Sequence, residues 1–174
     1  MSRSVELRRH TDNDGDVLTA DGVRDARRIG AGLSGRYDLG VSTGAQRATQ
    51  ALACMLAGHE RQVAGGVIVE PELRSEREDE WRAASKEASG GDLNAIREAA
   101  PELVGEDSAR LGAALGRVLE RLADGERALV VGHSPTNEAA VLGLTGQVVR
   151  PLAKGAGILV VADGDRYRVE PLGA

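Results

Sequence analysis

The feature that most constrains the fold of this chain is a repeated alternation of short apolar runs with stretches of helical periodicity. Three of the runs stop at polar residues: 5–8 ends before Arg9 and His10, 39–41 before Ser42 and Thr43, and 128–132 before His133. Short apolar runs followed by helical patterns are typical of buried parallel strands. The alternation therefore predicts an α/β protein, a three-layer sandwich in which helices flank a mostly parallel central sheet.

The other predicted elements follow the same rhythm. They are a helix after the N-cap Thr19, a helix over 45–56, a strand at 66–69, two short helices or a helix and a loop within 76–99, helices over 111–122 and 136–144, and a terminal hairpin around 163–165. A length of 174 residues without a dividing linker predicts one domain, 1–174. We expect a small insertion around 72–105 that acts as a lid or faces the substrate.

Composition argues against several classes of partner. The formal net charge is −5, and the chain has one Trp, two Tyr and no Phe, which disfavours nucleic acids and acidic membranes as partners.

Cys54 is the only cysteine, so we expect no disulfide and a buried, inert thiol. The sequence lacks a signal-peptide pattern and an apolar run of about 18 residues, and a cytoplasmic protein is therefore expected.

Polar residues at the strand ends predict where the site lies. In open α/β sheets, ligands bind beyond the carboxyl ends of the strands. His10 and His133 would meet there with Arg9 and Arg47, forming a site for an oxyanion with a nucleophile in it. Arginine suits an oxyanion because its planar fork binds two oxygens and stays charged. The alternative is that both arginines pair with carboxylates on the protein.

Three sequence blocks resemble those of the histidine phosphatase superfamily, the phosphoglycerate-mutase-like proteins, and in particular its short bacterial branch. The blocks are Leu7-Arg8-Arg9-His10 with Leu18-Thr19-x-x-Gly22, Ser42-Thr43-x-x-x-Arg47, and Val130-Val131-Gly132-His133-Ser134. They occur in the family's order and spacing and cover most of the chain. The resemblance implies the phosphoglycerate-mutase-like fold and a metal-independent, cofactor-free hydrolase acting on a phosphomonoester.

The resemblance also implies the roles of the predicted site residues. His10 becomes phosphorylated and water then releases phosphate, while His133 stabilises the transferring group. Arg9 and Arg47 bind the phosphate together with the two histidines. The chemistry is consistent with this, because a histidine nucleophile must be neutral, and nearby cations lower its pKa from about 6.5.

A general acid is needed to protonate the leaving alkoxide. The family places a carboxylate soon after its third strand and upstream of a Trp, which corresponds to the acidic stretch before Trp81. Glu76 fits best by its distance from Trp81, and Glu72 and Glu78 are the alternatives. An acidic run of this kind can also be a solvated helix face.

One position departs from the family pattern. The family has Gly after the first histidine, where close backbone approach to phosphate is useful, and this chain has Thr11. Thr11 could add a hydroxyl donor at the cost of room. The resemblance implies that the partner is a small phosphorylated metabolite or a phosphoprotein. Two alternative functions are a protein phosphohistidine phosphatase and a module that binds a phosphorylated ligand without turnover. We expect His59 to be a solvated residue at a helix end, favoured by the helix dipole.

Overall fold

The computed structural model describes residues 2–174. Within this range the strands are β1 (Arg3–Arg9), β2 (Asn13–Asp14), β3 (Val17–Leu18), β4 (Leu39–Ser42), β5 (Val67–Val69), β6 (Arg127–Gly132), β7 (Gly157–Asp163) and β8 (Arg166–Leu172). The α-helices are α1 (Ala20–Gly32), α2 (Gln46–His59), α3 (Glu78–Glu87), α4 (Leu93–Ala99), α5 (Pro101–Glu120) and α6 (Thr136–Thr145), and a 3-10 turn spans Pro71–Leu73.

Six of the strands form one sheet in the order β5-β4-β6-β1-β7-β8. Strands β5, β4, β6 and β1 run parallel, whereas β7 and β8 are antiparallel additions. The predicted central strands β4, β6 and β1 are neighbours, so the predicted α/β sandwich is confirmed. In the register, Arg9 lies opposite Gly132. The residues that follow them, His10 and His133, therefore emerge at the same level of the same sheet edge.

The central strands are buried on both faces. Leu129 and Val131 belong to a core that includes buried residues of α1 and α2, whereas Ala128 and Val130 belong to a second core that includes residues of α3 to α6. This explains why the run at 128–132 is continuously apolar rather than alternating. Truncating a fully buried leucine such as Leu129 to alanine is expected to cost about 2–5 kcal/mol.

Most of the local predictions hold. Thr19 caps α1 by accepting a hydrogen bond from the Gly22 amide, and the region 76–99 contains two helices, α3 and α4, separated by Gly90 and Gly91. Helix α5 begins at Pro101, ten residues before the predicted start, because it extends through the buried pair Leu103 and Val104. None of the helices within 2–174 is long and apolar enough to cross a bilayer.

One prediction about exposure is wrong. His59 ends α2 as expected, but only 7% of it is exposed, and its ring packs edge-on against Tyr37 with 5.3 Å between ring centroids. Tyr37 belongs to the loop between α1 and β4, so the burial of His59 depends on a contact between distant parts of the chain that a local pattern does not reveal. The strand predicted at 66–69 is present as β5, which forms one edge of the sheet, and its Val67 and Val69 are each 56% exposed.

Candidate active site

His10 and His133 face each other at the carboxyl edge of the sheet. Their ring centroids are 5.4 Å apart with an interplanar angle of 63°, and the residues are 6% and 7% exposed. The pairing of β1 with β6 continues one residue beyond β1, since the His10 amide donates to the Gly132 carbonyl at 3.0 Å. The backbone register thus fixes the positions from which both side chains project.

Hydrogen bonding defines which nitrogen of His10 is available. The Nδ1 atom lies 2.8 Å from the Thr11 carbonyl oxygen. A carbonyl can only accept, so Nδ1 carries the proton and Nε2 keeps its lone pair. Burial lowers the pKa of His10 to about 4, against the opposing effect of the Thr11 hydrogen bond, and the charges of Arg47, Arg9 and Lys154 lower it further. His10 is therefore a neutral imidazole near pH 7.

His133 is held from two sides. Its Nε2 atom lies 2.8 Å from Thr43 Oγ1, and its amide donates to Asn137 Oδ1 at 3.2 Å. The Asn137 side chain also donates to the Arg8 carbonyl at 3.0 Å, which joins the ends of β6 and β1. A Cβ atom on Gly132 would lie 2.4 Å from Asn137 Oδ1, so this close approach requires glycine.

The charge state of His133 follows from the same surroundings. Burial, followed by the charge of Arg47, lowers its pKa to about 3. Its Nδ1 atom is buried and has no hydrogen-bond partner among residues 2–174. The ring is thus neutral and retains one nitrogen that no protein group in this range satisfies.

Arg47 lies in the first turn of α2 and is mostly shielded, with 16% of its side chain exposed. It pairs with Asp16, Nη1 to Oδ1 at 2.8 Å, and approaches Glu78 Oε1 at 3.7 Å. Asp16 also accepts from the Gln46 and Arg47 amides, so it caps a helix whose N-cap, Ala45, has no capping side chain. The alternative that arginines pair with carboxylates thus holds for Arg47, yet its charge still reaches both histidines.

Arg9 is anchored by a different group. Its Nη1 atom donates to the Leu152 carbonyl at 2.8 Å, and its Nε atom is buried without a hydrogen-bond partner in the described chain. Its positive charge contributes to the lowered pKa of His10. The structure therefore brings all four predicted phosphate-binding residues into one neighbourhood.

The three candidate acids occupy different places. A cavity of about 220 Å³ adjoins His133, and its lining includes Arg47, Glu78, Trp81 and Ser85. Glu76 is exposed and lies outside this lining, and Glu72 pairs with Arg117 on the surface. Glu78 is the candidate acid that faces the cavity, whereas the sequence favoured Glu76.

The position of Glu78 depends on how α3 is held. Asp107 of α5 accepts hydrogen bonds from Ser75 Oγ at 2.5 Å and from Trp81 Nε1 at 2.6 Å. These contacts fix the start of α3 and its first buried turn against α5. Glu78 itself pairs with Arg74 at 2.6 Å, four residues earlier in the loop that leads into α3.

Thr11 does not present its hydroxyl to the cleft. The Oγ1 atom donates to the Gly22 carbonyl at 2.7 Å, and the residue is 2% exposed. A Cβ atom on Gly22 would lie 2.0 Å from the Asp12 carbonyl oxygen, so α1 packs tightly on this loop. The residue that departs from the family pattern serves to bind α1 to the loop after His10.

Sequence reasoning assigned no role to several residues that shape this site. They are Asp16, Thr43, Asn137, Glu138 and Lys154. Thr43 lies at a strand end, which is a usable signal. The sequence shows Asp16 only as an acidic residue in a loop. Its contact with the start of α2 depends on the tertiary structure.

Comparisons with known proteins were made by sequence and by structure. No protein-family model matches this sequence, and no curated protein matches it. Among solved structures, phosphoglycerate mutase from Bacillus anthracis has 20% identity and a TM-score of 0.72, covering 98% of this chain and 92% of that chain. Phosphoserine phosphatase from Entamoeba histolytica, in complex with 3-phosphoglyceric acid, has 14% identity and a TM-score of 0.73, covering 99% and 98%.

A third structure is the protein histidine phosphatase SixA complexed with tungstate. It has 19% identity and a TM-score of 0.59, and the match covers 98% of this chain and 96% of that chain. Near-complete coverage on both sides indicates that the whole architecture is shared.

Proposed function

We propose that this chain, which has the phosphoglycerate-mutase-like fold of those structures, is a phosphatase that hydrolyses a phosphomonoester through a phosphohistidine intermediate on His10. The observation that carries the proposal is the state of His10: a buried, neutral imidazole whose Nε2 lone pair is free. The His133 ring lies 5.4 Å from the His10 ring, centroid to centroid, the charge of Arg47 acts on His10, and both His133 and Arg47 line the adjoining cavity. A nucleophile next to cations at a sheet edge is suited to phosphoryl transfer.

The proposed reaction has two steps. First, His10 Nε2 attacks phosphorus, forming the N–P bond as the P–O bond to the leaving alcohol breaks, and Glu78 donates a proton to the alkoxide. Second, water attacks phosphorus and gives its proton to Glu78, while the N–P bond breaks and its electron pair returns to Nε2. A carboxyl group that faces the scissile bond can perform both proton transfers.

The remaining residues act on charge and orientation. A transferring phosphoryl group carries negative charge on its oxygens, and preorganised donors lower the barrier. Arg47 and Arg9 supply guanidinium groups for these oxygens, and His133 supplies a ring N–H. Because Arg47 already pairs with Asp16, it is held in place before the substrate binds.

We propose a small phosphorylated metabolite as the substrate. The cavity beside His133 has a volume of about 220 Å³ and is bounded on one side by α3, which leaves room for a compact leaving group. The similarity to a phosphoserine phosphatase is compatible with this class. A phosphohistidine protein is the alternative, and the similarity to a protein histidine phosphatase favours including it in the test.

The proposal is tested by assaying the purified protein against a panel of small phosphomonoesters and a phosphohistidine protein, followed by rapid quenching at neutral pH and mass spectrometry. We expect phosphate release with at least one panel member and an acid-labile phosphoryl group mapped to His10. Phosphate release without an adduct, and with undiminished activity in the His10→Ala variant, contradicts the mechanism. Phosphate binding without turnover would indicate a binding module instead.

A further inference from the structure

Glu138, in the first turn of α6, is a buried acid that the proposed mechanism does not use. The residue is 2% exposed, and its Oε2 atom has no hydrogen-bond partner within residues 2–174. A buried polar atom without a partner costs free energy, so its retention calls for a physical reason. Substituting a hydrophobic side chain there would avoid that cost.

The other carboxylate oxygen of Glu138 makes two contacts, with two separate segments of the chain. Its Oε1 atom accepts from Ser134 Oγ at 2.5 Å and from the Leu152 amide at 2.9 Å. Ser134 directly follows His133 in the chain. Glu138 therefore joins the residue next to one histidine to the segment that enters β7.

That segment is the one that anchors Arg9. The Leu152 amide is bound by Glu138, and the Leu152 carbonyl accepts from Arg9 Nη1 at 2.8 Å. One residue of backbone thus connects the buried carboxylate of Glu138 to the half-buried guanidinium of Arg9. If the carboxylate released the Leu152 amide, the acceptor that orients Arg9 would be free to move.

The two side chains also act on each other through charge. Burial raises the pKa of Glu138, and hydrogen bonds from Ser134 and the Leu152 amide, together with the charge of Arg9, oppose that rise. Burial lowers the pKa of Arg9, and the charge of Glu138 opposes that change. Each group therefore favours the ionised form of the other in a region of low polarity.

We propose that Glu138 is the positioning residue of the phosphate site: it fixes the backbone that anchors Arg9, and its negative charge offsets part of the positive charge of that guanidinium. This proposal rests on the proposed function, because Arg9 matters only if an oxyanion binds there. The offset prevents the site from holding phosphate too tightly, and the hydrogen bonds keep the guanidinium where its charge acts on His10.

The test compares two substitutions by calorimetric titration with inorganic phosphate. Glu138→Gln keeps an oxygen acceptor for Ser134 and Leu152 but removes the charge, so phosphate should bind about 5-fold more tightly. Glu138→Ala removes the anchor as well, so phosphate should bind about 10-fold more weakly because Arg9 is no longer held. A purely structural role would not give changes of opposite sign.

Glu6→Gln is the matched control, because Glu6 is also 2% exposed and hydrogen-bonded but contacts Arg8 and Tyr37 instead. It should lower the melting temperature while leaving phosphate affinity within about 2-fold of wild type. Equal or weaker phosphate binding by Glu138→Gln overturns the proposal, and it does so even if Glu138→Ala fails to fold.

Arg47→Ala separates this inference from the proposed function. If wild-type protein binds phosphate and Arg47→Ala weakens that binding, but both Glu138 variants match wild type, the role of Glu138 is wrong and the phosphate site stands. If wild-type protein binds no phosphate, the proposed function fails and the inference fails with it.

Discussion

The candidate site lies in a cleft between the strand ends of the sheet and helix α3, and these two walls are built by different physical means. The strand-end wall, formed by His10, Thr43 and His133, is set by backbone pairing among β1, β6 and β4. The α3 wall, formed by Glu78, Trp81 and Ser85, is held by side-chain contacts from Ser75 and Trp81 to Asp107 of α5. One wall is defined by register and the other by packing.

This difference suits the two walls to different roles in the reaction. Register leaves little freedom, because a shift by one residue would reverse which face every side chain occupies. The strand-end wall is therefore suited to hold groups that must be accurately placed, such as a nucleophile. Loops and surface helices tolerate more change, and the α3 wall is suited to select the leaving group.

The largest effect is expected from removing the nucleophile of the strand-end wall. His10→Ala should reduce turnover by more than about 10⁴-fold, because the covalent step loses its acceptor atom. The measurement is steady-state phosphate release. His59→Ala is the matched control, since His59 is equally buried but lies against Tyr37 away from the cleft, and it should retain activity. Comparable activity in the two variants would contradict the assignment of His10 as the nucleophile of the strand-end wall.

Loss of His133 should be the next most severe change. His133→Ala should lower kcat by about 10²–10³-fold through loss of a donor to the transferring group, and phosphorylation of His10 should be slowed rather than abolished. Thr43→Val removes only the hydrogen bond to His133 Nε2 and should cost about 10-fold. Single-turnover kinetics checks both, and a larger loss in the Thr43 variant would contradict the assigned order.

The α3 wall is tested by a pair of neighbouring acids. Glu78→Gln should lower kcat by about 10²-fold on substrates with poor leaving groups, and much less on an activated aryl phosphate that needs no protonation. Glu76→Gln should stay within about 2-fold, because Glu76 is exposed and lies outside the cavity lining. The reverse pattern would restore Glu76 as the general acid and show that α3 moves on substrate binding.

Arg47 connects the two walls, since it lies at the histidines and approaches Glu78. Arg47→Ala should weaken inorganic phosphate binding by about 30-fold, through loss of a charge-assisted contact. Arg82→Ala is the control, because Arg82 lines the same cavity but is exposed and pairs with Asp79. Calorimetry that finds equal phosphate affinity in wild type and Arg47→Ala rejects the role of Arg47.

Acid stability offers the smallest effect and reports on the strand-end wall without substrate. The pKa values of His10 and His133 are about 4 and about 3 in the folded protein, against 6.5 when unperturbed. At pH values between the lowered pKa of each folded histidine and 6.5, the unfolded chain binds more protons than the folded protein. The free energy of unfolding therefore falls as the pH drops through this range. From pH 7 to pH 5 the loss should be roughly 2 kcal/mol for each ring.

Denaturant unfolding of wild type and His10→Asn at both pH values isolates this contribution, because the variant lacks one of the two rings and keeps the carboxylates. The free energy of unfolding should change less between pH 7 and pH 5 in the variant than in wild type. Identical pH dependence in the two proteins would indicate that His10 is not buried as a neutral ring.

Sequence periodicity determined the framework of this protein. Strand β6 was recognisable because a strand buried on both faces must be continuously apolar, and the histidines were found because polar residues after such strands lie at the ligand-binding edge. Backbone pairing then brings His10 and His133 together with no further information. Local patterns also located the cap at Thr19 and the break between α3 and α4.

Only the tertiary structure decided which polar groups meet across the chain. The pairing of Asp16 with Arg47, the choice of Glu78 over Glu76 at the cavity, and the contacts of Glu138 depend on how loops and helices pack. The burial of His59 depends on packing in the same way. Side-chain pairing between segments far apart in sequence has no period to detect, because its geometry exists only after the hydrophobic cores have placed those segments.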